Sequence, residues 1–155
     1  MVILAVPTFG KGGLNELLNP RFGRCDSFTF ITIEKGNIKE VRTVSNSASS
    51  TMGGAGIQAA QIVGNNGAKE LVAGFLGPNA AQSLNALNIK IYQAPNQQIT
   101  VKQCIELYLQ GKLLEMNNAN VDAHYGMGPG MGGGRGMGRG MGRGAGRGMN
   151  RRNQF

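Results

Sequence analysis

The chain has 155 residues, 26 of them glycine, and a net charge of +8, which is length enough for one domain with a packed core. The charge is uneven: residues 126–155 hold six arginines and no acid, while residues 1–125 are close to balance, so the basic end points to an anionic partner. No apolar run approaches bilayer-spanning length, and Cys25 and Cys104 are too few for a disulfide framework, so we expect a cytoplasmic protein with no membrane association.

Val2 to Val6 is a short, continuous apolar run ended by Pro7, which predicts a strand buried on both faces. No basic segment precedes it, so it does not read as a secretory signal. Thr8 to Gly13 is a glycine-rich loop, and Leu14 to Leu18 forms at most a short turn before Pro20. Arg21-Phe22-Gly23-Arg24 follows. The bland reading places Phe22 at the core edge with solvated arginines; the functional one sets Arg21 and Arg24 around an oxyanion, which planar guanidinium forks suit. The residues alone favour the bland reading. Ser27 to Glu34 and Ile38 to Val44, split by Lys35-Gly36-Asn37, predict a hairpin. Phe28 and Phe30 fall on one face and Ile31 and Ile33 on the other, so both faces should be covered at least in part.

The small polar stretch Ser45 to Thr51 leads into Gly53-Gly54-Ala55-Gly56. These glycines expose bare backbone at the start of a helix running from Ile57 to Asn65. A helix start presents unpaired N–H groups and the positive end of its dipole, which suits an anion. Ala55, Ala59, Ile62 and Val63 make its buried stripe, and Asn65-Asn66-Gly67 closes it. Leu71 to Phe75 reads as the next buried strand. Gly77-Pro78-Asn79 opens a second helix with Ala80, Leu84 and Leu87 on one side, and Ile89 to Tyr92 is a short final strand. Thr100 caps a third helix, with Gln103 placed for a capping box; its stripe is Val101, Cys104, Ile105, Tyr108 and Leu109, ended by Gly111. A hairpin followed by alternating helices and strands argues for an α/β domain with a mixed, mostly parallel sheet covered by helices.

Residues 126–155 are of another kind. Arg135, Arg139, Arg143 and Arg147 recur every fourth residue between glycines. Glycine at alternate positions costs a helix roughly 1 kcal/mol each, so the segment is expected to be disordered in isolation.

Gly54-Ala55-Gly56-Ile57-Gln58-Ala59 matches G-x-G-x-x-A, but a polar loop, not a strand, precedes it, and no acid stands in the usual place. Dinucleotide binding is rejected. Cys25 and Cys104 form no C-x-x-C pair, and clusters held wholly by one chain usually take four thiolates. Cys104 lies on an apolar stripe and reads as core, whereas Cys25, in a loop, is the better reactive thiol. His124 is the only histidine; its bland reading is a solvated side chain, and its functional one a soft-metal contact together with nearby methionines. Cys25 and His124 are the two candidate metal contacts. No Ser/His/Asp set or carboxylate pair is visible.

In order along the chain, Val2–Pro7, Arg21-Phe22-Gly23-Arg24, the Phe28–Glu34 strand, Gly53 to Ala60, Gly77-Pro78-Asn79-Ala80 and His124-Tyr125-Gly126-Met127-Gly128 resemble the dinitrogenase iron–molybdenum cofactor biosynthesis family, and within it the small stand-alone archaeal and bacterial members. The resemblance covers about residues 1–128. It implies an RNase H-like three-layer α/β/α fold with a five-stranded mixed sheet and no nuclease chemistry. It also implies binding or carriage of a metal–sulfur cofactor or precursor, of iron–sulfur or iron–molybdenum type. Family members often have histidine before the Phe-Gly pair, where this chain has Arg21, which favours electrostatic holding over ligation at that position.

The expectation is a non-enzymatic carrier or store for an anionic metal–sulfur species. Its contacts would be Arg21, Gly23, Arg24, Gly53, Gly54, Gly56 and Gly77, with Arg135, Arg139, Arg143 and Arg147 adding electrostatic capture. Other metallocluster assembly proteins and self-assembly are the protein partners considered. The alternative is a nucleic-acid-associated protein binding RNA or DNA phosphates through its Arg/Gly tail. Domain boundaries are expected at 1–125 and 126–155, because apolar periodicity fades after Leu114 and no acid follows Asp122. Truncation after Tyr125 should leave the near-UV circular dichroism and the thermal melt of the domain in place; a molten spectrum would move the boundary.

Overall fold

The computed structural model describes residues 1–120. The strands are β1 (Val2–Thr8), β2 (Ser27–Glu34), β3 (Asn37–Ser45), β4 (Glu70–Ala73) and β5 (Lys90–Gln93). The helices are α1 (Ala55–Asn65), α2 (Pro78–Ala86) and α3 (Val101–Leu109), with a single 3-10 turn at Ser47–Ser50. The sheet order is β3-β2-β1-β4-β5. β2 is antiparallel to both β1 and β3, while β4 runs parallel to β1 and β5 parallel to β4. This is the mixed five-stranded sheet expected of an RNase H-like fold.

Both sheet faces are buried, as the hairpin pattern requires. Phe28 and Phe30 join Phe22, Leu71, Ile91 and the stripes of α1 and α2 in one core. Ile31 and Ile33 join Leu4, Val6, Val72 and the Val101, Cys104 and Ile105 stripe of α3 in the other. Helices thus cover the sheet from both sides and give three layers. Burying each of the large apolar side chains stabilises the fold by about 1.5–3 kcal/mol relative to exposure. Leu87 and Leu109, assigned to the apolar stripes from spacing, are substantially exposed; Leu109 is the last residue of α3 and Leu87 is the C-cap of α2.

Several boundaries differ from expectation for local reasons. β1 continues through Pro7 to Thr8 because the proline lies beyond the stretch paired with β4. The Pro7 carbonyl accepts from Asn19 N–H at 2.8 Å, so its missing donor faces a loop and no ladder bond is lost. α1 starts two residues earlier than expected, at Ala55, because Gly54 takes φ 73° as its N-cap, a left-handed turn that glycine makes without strain. β4 ends at Ala73, and residues 74–77 form a tight link to α2.

At α3 both halves of the capping box are made: Thr100 Oγ1 accepts from Gln103 N–H at 3.1 Å, and Gln103 Oε1 accepts from Thr100 N–H at 2.9 Å. After α3 the chain turns back along β5, with Gln93 N–H donating to the Leu114 carbonyl and Met116 N–H to the Ile91 carbonyl, each at 2.7 Å. No helix among the described residues is long and apolar enough to cross a membrane. Thr100→Ala removes one cap acceptor and should lower stability by about 1 kcal/mol, read as a shift in the urea midpoint with an unchanged slope.

Candidate anion-binding site

The topology brings the expected residues to one edge of the sheet. β1, β3, β4 and β5 all run the same way, so their carboxyl ends and the start of β2 lie together. The loops 9–26, 46–54, 74–77 and 94–100 leave the sheet at this edge. Arg21, Gly23, Arg24, Gly53, Gly54, Gly56 and Gly77 all sit in these loops or in the first turn that follows. This is where open α/β sheets bind ligands.

Bare backbone lets these segments touch. A Cβ built on Gly23 would lie 3.2 Å from the Gly56 nitrogen, and one on Gly56 would lie 2.9 Å from Ala80 Cβ. Gly56 is in the first turn of α1 and Ala80 in the first turn of α2, so the two helix N-termini stand side by side with the Arg21–Arg24 loop against them. Gly54 caps α1, and Gly77 caps α2 with Pro78 as its first residue. Each start leaves N–H groups without an intrahelical acceptor and carries the positive end of a helix dipole. Gly53 and Gly54 are exposed, and a Cβ on either would meet nothing within 4 Å. They form an open, exposed rim.

The two arginines part company. Arg21 is exposed, and its backbone is held by Asn19 Oδ1 at 3.0 Å and by a bridge to Phe75. Arg24 is half-buried, and its Nη1 donates to the carbonyls of Ser49 at 3.0 Å and Thr51 at 2.6 Å. These charge-assisted bonds fix the segment entering α1. Arg24 is therefore a strut of the glycine loop, a correction to its assignment as a direct anion contact. Asn46 is a second strut that sequence reasoning missed. Almost fully buried, it donates from Nδ2 to the carbonyls of Gly23 (3.2 Å) and Cys25 (2.9 Å) and accepts at Oδ1 from Ala48 N–H (3.1 Å). One side chain thus ties the arginine loop to the glycine loop. Its signal in the sequence was only a polar residue in a polar stretch.

Cys25 is corrected as well. It has no exposed surface, its Sγ donates to the Phe22 carbonyl at 3.3 Å, and burial pushes its thiol up to about 12 against a lowering contribution from Asn46. It is a core residue beneath Gly23, neither a reactive thiol nor an accessible ligand. Cys104 is buried in the α3 core, as its stripe position implied, and burial raises its thiol to about 12 too. Among the described residues, no three His, Cys, Asp or Glu side chains stand close enough to hold a metal ion. His124, Arg135, Arg139, Arg143 and Arg147 lie outside the described residues.

A cleft of about 660 Å³ opens one strand over, at the ends of β1, β4 and β5. Phe9, Leu18, Phe75 and Pro95 give it apolar walls, and Gln93 and Asn120 give it amides. These two amides are committed to the backbone: Asn120 donates to the Gly74 carbonyl at 2.6 Å and accepts from Leu76 N–H at 2.7 Å, and Gln93 donates to the Gly74 carbonyl at 3.2 Å; Asn96, Gln97 and Gln98 line the cleft as well. Pro20 and Gly74 line the cleft, and the neighbouring bond from Phe75 N–H to the Pro20 carbonyl at 2.6 Å joins the two segments. No sequence motif marked the cleft, because its lining comes from five separate segments.

Residues 2–111 match the family model described as dinitrogenase iron-molybdenum cofactor. An uncharacterised protein of Methanocaldococcus jannaschii is 35% identical over 99 residues, which is 64% of this chain and 82% of that protein. The apo form of the orange protein from Desulfovibrio gigas is similar in structure with a TM-score of 0.70 and 34% identity, over 78% of this chain and 98% of that one. A Thermotoga protein assigned to the DUF35 family matches with a TM-score of 0.65 and 29% identity, over 78% and 98% of the two chains.

Both thiols should resist a thiol reagent at neutral pH and react only as fast as the chain unfolds. Their raised values also set a pH dependence. An unfolded chain loses these protons near the ordinary 9.0, while the folded chain keeps them until about 12. The stabilisation is therefore intact below the ordinary value and falls as pH rises through this window. Rapid labelling of the native chain would show that Cys25 is accessible.

Proposed function

This chain belongs to the dinitrogenase iron–molybdenum cofactor family, and on that premise we propose that it carries or stores an anionic metal–sulfur cofactor or precursor, without catalysing a reaction on it. The observation that carries this reading is the meeting of two helix N-termini and the Arg21 loop at one sheet edge. Such an edge offers backbone N–H groups, dipoles and a guanidinium, all of which favour negative charge. The donor set suits a preassembled anion whose metals already have their sulfur ligands. A bare metal ion would need thiolates or imidazoles that the described rim does not present. Similarity to a protein solved in an apo form supports the reading, since an apo form presupposes a loaded one for that protein.

In this reading Arg21 supplies charge, Gly53, Gly54, Gly56 and Gly77 supply approachable backbone, and Gly23 supplies close packing. Arg24 and Asn46 hold the two loops in register. Arg135, Arg139, Arg143 and Arg147 add capture at many points, and linked weak contacts gain by effective concentration. The setting is cytoplasmic, among other metallocluster assembly proteins that load or unload the cargo.

The test uses the full chain under anaerobic conditions, offered tetrathiomolybdate or an iron–sulfide preparation, with metal and sulfide retention measured. Gly53→Asp is the decisive variant. The site has room for a side chain, and a carboxylate at a helix start is favourable to the fold but repels an anion. It should keep the melting temperature and lower retention about tenfold. Arg21→Gln should weaken retention in the same direction, and raising salt beyond about 0.1 M should weaken it further by screening. A tail with its six arginines changed to glutamine, and single-stranded RNA at matched ionic strength, complete the set. Tight RNA binding together with metal–sulfur retention indifferent to Gly53→Asp and to the tail would replace this reading with the nucleic-acid one.

A further inference from the structure

The cleft at the ends of β1, β4 and β5 takes no part in holding an anion at the glycine rim. Its volume of about 660 Å³ falls in the range of small-molecule sites, and it opens at the carboxyl ends of strands, where α/β sheets place ligands. Its walls are pinned by the backbone. Phe9 N–H donates to the Leu17 carbonyl at 3.2 Å, and the Phe9 carbonyl accepts from Gly12 N–H at 3.1 Å. Gly10 N–H donates to Asp26 Oδ2 at 2.8 Å and Gly13 N–H to Thr29 Oγ1 at 3.0 Å, which ties the loop carrying Phe9 to β2 and the residue before it. Gly74 packs so closely that a Cβ on it would come within 2.7 Å of Pro20 Cβ. The stretch 95–98 is held at both ends, by Ala94 N–H on the Ala73 carbonyl and by Leu18 N–H on the Ile99 carbonyl, each at 2.9 Å. A cleft formed in advance costs its ligand little ordering.

The lining selects the ligand. None of the residues given to the cleft is charged, so an ion entering it would shed water and meet no counter-charge. Two aromatic rings, Phe9 and Phe75, line it and keep 36% and 39% of their surface in water. Gln93 and Asn120 are spent on the backbone, but the side chains of Asn96, Gln97 and Gln98 make no hydrogen bond to another described residue. An aliphatic ligand would cover these amides and leave them unpaired. A carboxamide sets a donor and an acceptor side by side, which matches the edge of a planar heterocycle; asparagine and glutamine read adenine in this way. The faces of such a ring stack on aromatic side chains. An extended peptide would instead need a row of backbone partners. The β5 edge beside the cleft is already taken by the Leu114 carbonyl and Met116 N–H, and the Ala94 N–H and Ile99 carbonyl are spent within the fold.

We propose that this cleft binds an uncharged heteroaromatic compound of the purine or pyrimidine nucleoside class. Its ring lies against Phe9 and Phe75, and Asn96, Gln97 and Gln98 read its edge. The residues are different from those of the anion rim, so the two readings stand or fall separately.

Nuclear magnetic resonance of the isotope-labelled full chain tests this, with adenosine, inosine and uridine as the probes. At least one nucleoside should shift the backbone signals of Phe9 and Phe75 and the side-chain amide signals of Gln97 and Gln98, saturating at or below about 1 mM, while Gly53 and Gly54 stay in place. Benzyl alcohol, a ring without a hydrogen-bonding edge, should bind about tenfold more weakly. The double variant Gln97→Ala, Gln98→Ala alters two exposed side chains; it should keep the melting temperature and weaken nucleoside binding about fivefold. Phe9→Ala should weaken it about tenfold by removing a stacking face. Absence of a saturable shift with all three nucleosides would overturn the proposal, as would shifts confined to the glycine rim or binding indifferent to both variants. A neutral proline-rich peptide that moved the same signals at lower concentration than any nucleoside would also overturn it and give the cleft to a protein partner.

Discussion

The contact of Gly23 with Gly56, and of Gly56 with Ala80, is the constraint on which the candidate site depends. A single methyl group at Gly56 would meet Ala80 Cβ at 2.9 Å, closer than carbon atoms approach. With that space filled, α1 and α2 could not set their first turns side by side. Glycine inside a helix costs about 1 kcal/mol relative to alanine, and that cost is offset here by packing that a larger residue would forbid. The residues flanking Gly23 show how the fold holds the contact. Phe22 is buried with its ring 5.5 Å from that of Phe28, and Cys25 is buried next to Asn46. Two core anchors, one on each side, press the short backbone between them against α1.

The fold was legible because its signals are local. Alternation in β2, the glycine break of the hairpin, most of each helix stripe and the Thr100–Gln103 box each depend on a few neighbouring residues, and the structure realises them. Where expectation missed, the deciding partner was distant. Pro7 ends an apolar run in sequence, yet the strand continues, because the neighbour that would need its N–H is a loop. Leu87 and Leu109 continue a helical period, yet they stand at the ends of their helices and keep much of their surface in solvent.

The candidate site was legible only in outline. Clustered glycines and a paired-arginine loop announce themselves by composition, and the sheet topology then brings them together. The division of labour among them was hidden. Arg21 and Arg24 are indistinguishable as letters, and only the placement of the Ser49 and Thr51 carbonyls makes one of them a strut. Asn46 and the cleft at Phe9 and Phe75 draw on segments far apart in the chain, so no spacing rule could reveal them. Cys25 looked reactive because a loop suggests exposure, but this loop folds inward and takes the thiol with it.

A site built from helix starts and arginine differs in kind from one built from histidine, cysteine or carboxylates. Backbone N–H groups and guanidinium do not titrate anywhere near neutrality, whereas imidazole changes charge there. In the proposed reading, the described rim holds its anion with the same strength across the ordinary range of pH. In the same reading the rim offers no ligand to a metal, so a metal–sulfur cargo would keep its own sulfur shell through binding and release. Two levers on occupancy remain. One is screening or competition by other anions, which acts on an open rim more strongly than on an enclosed pocket. The other is geometry, because the donors converge only while the Arg24 and Asn46 struts hold the two loops together. A partner protein that displaced the Ser49–Thr51 segment would spread those donors without touching the cargo. The bonds that make the site are thus also the place where it can be unmade; those of Arg24 are part-buried, on the segment that leads to the exposed Gly53 and Gly54.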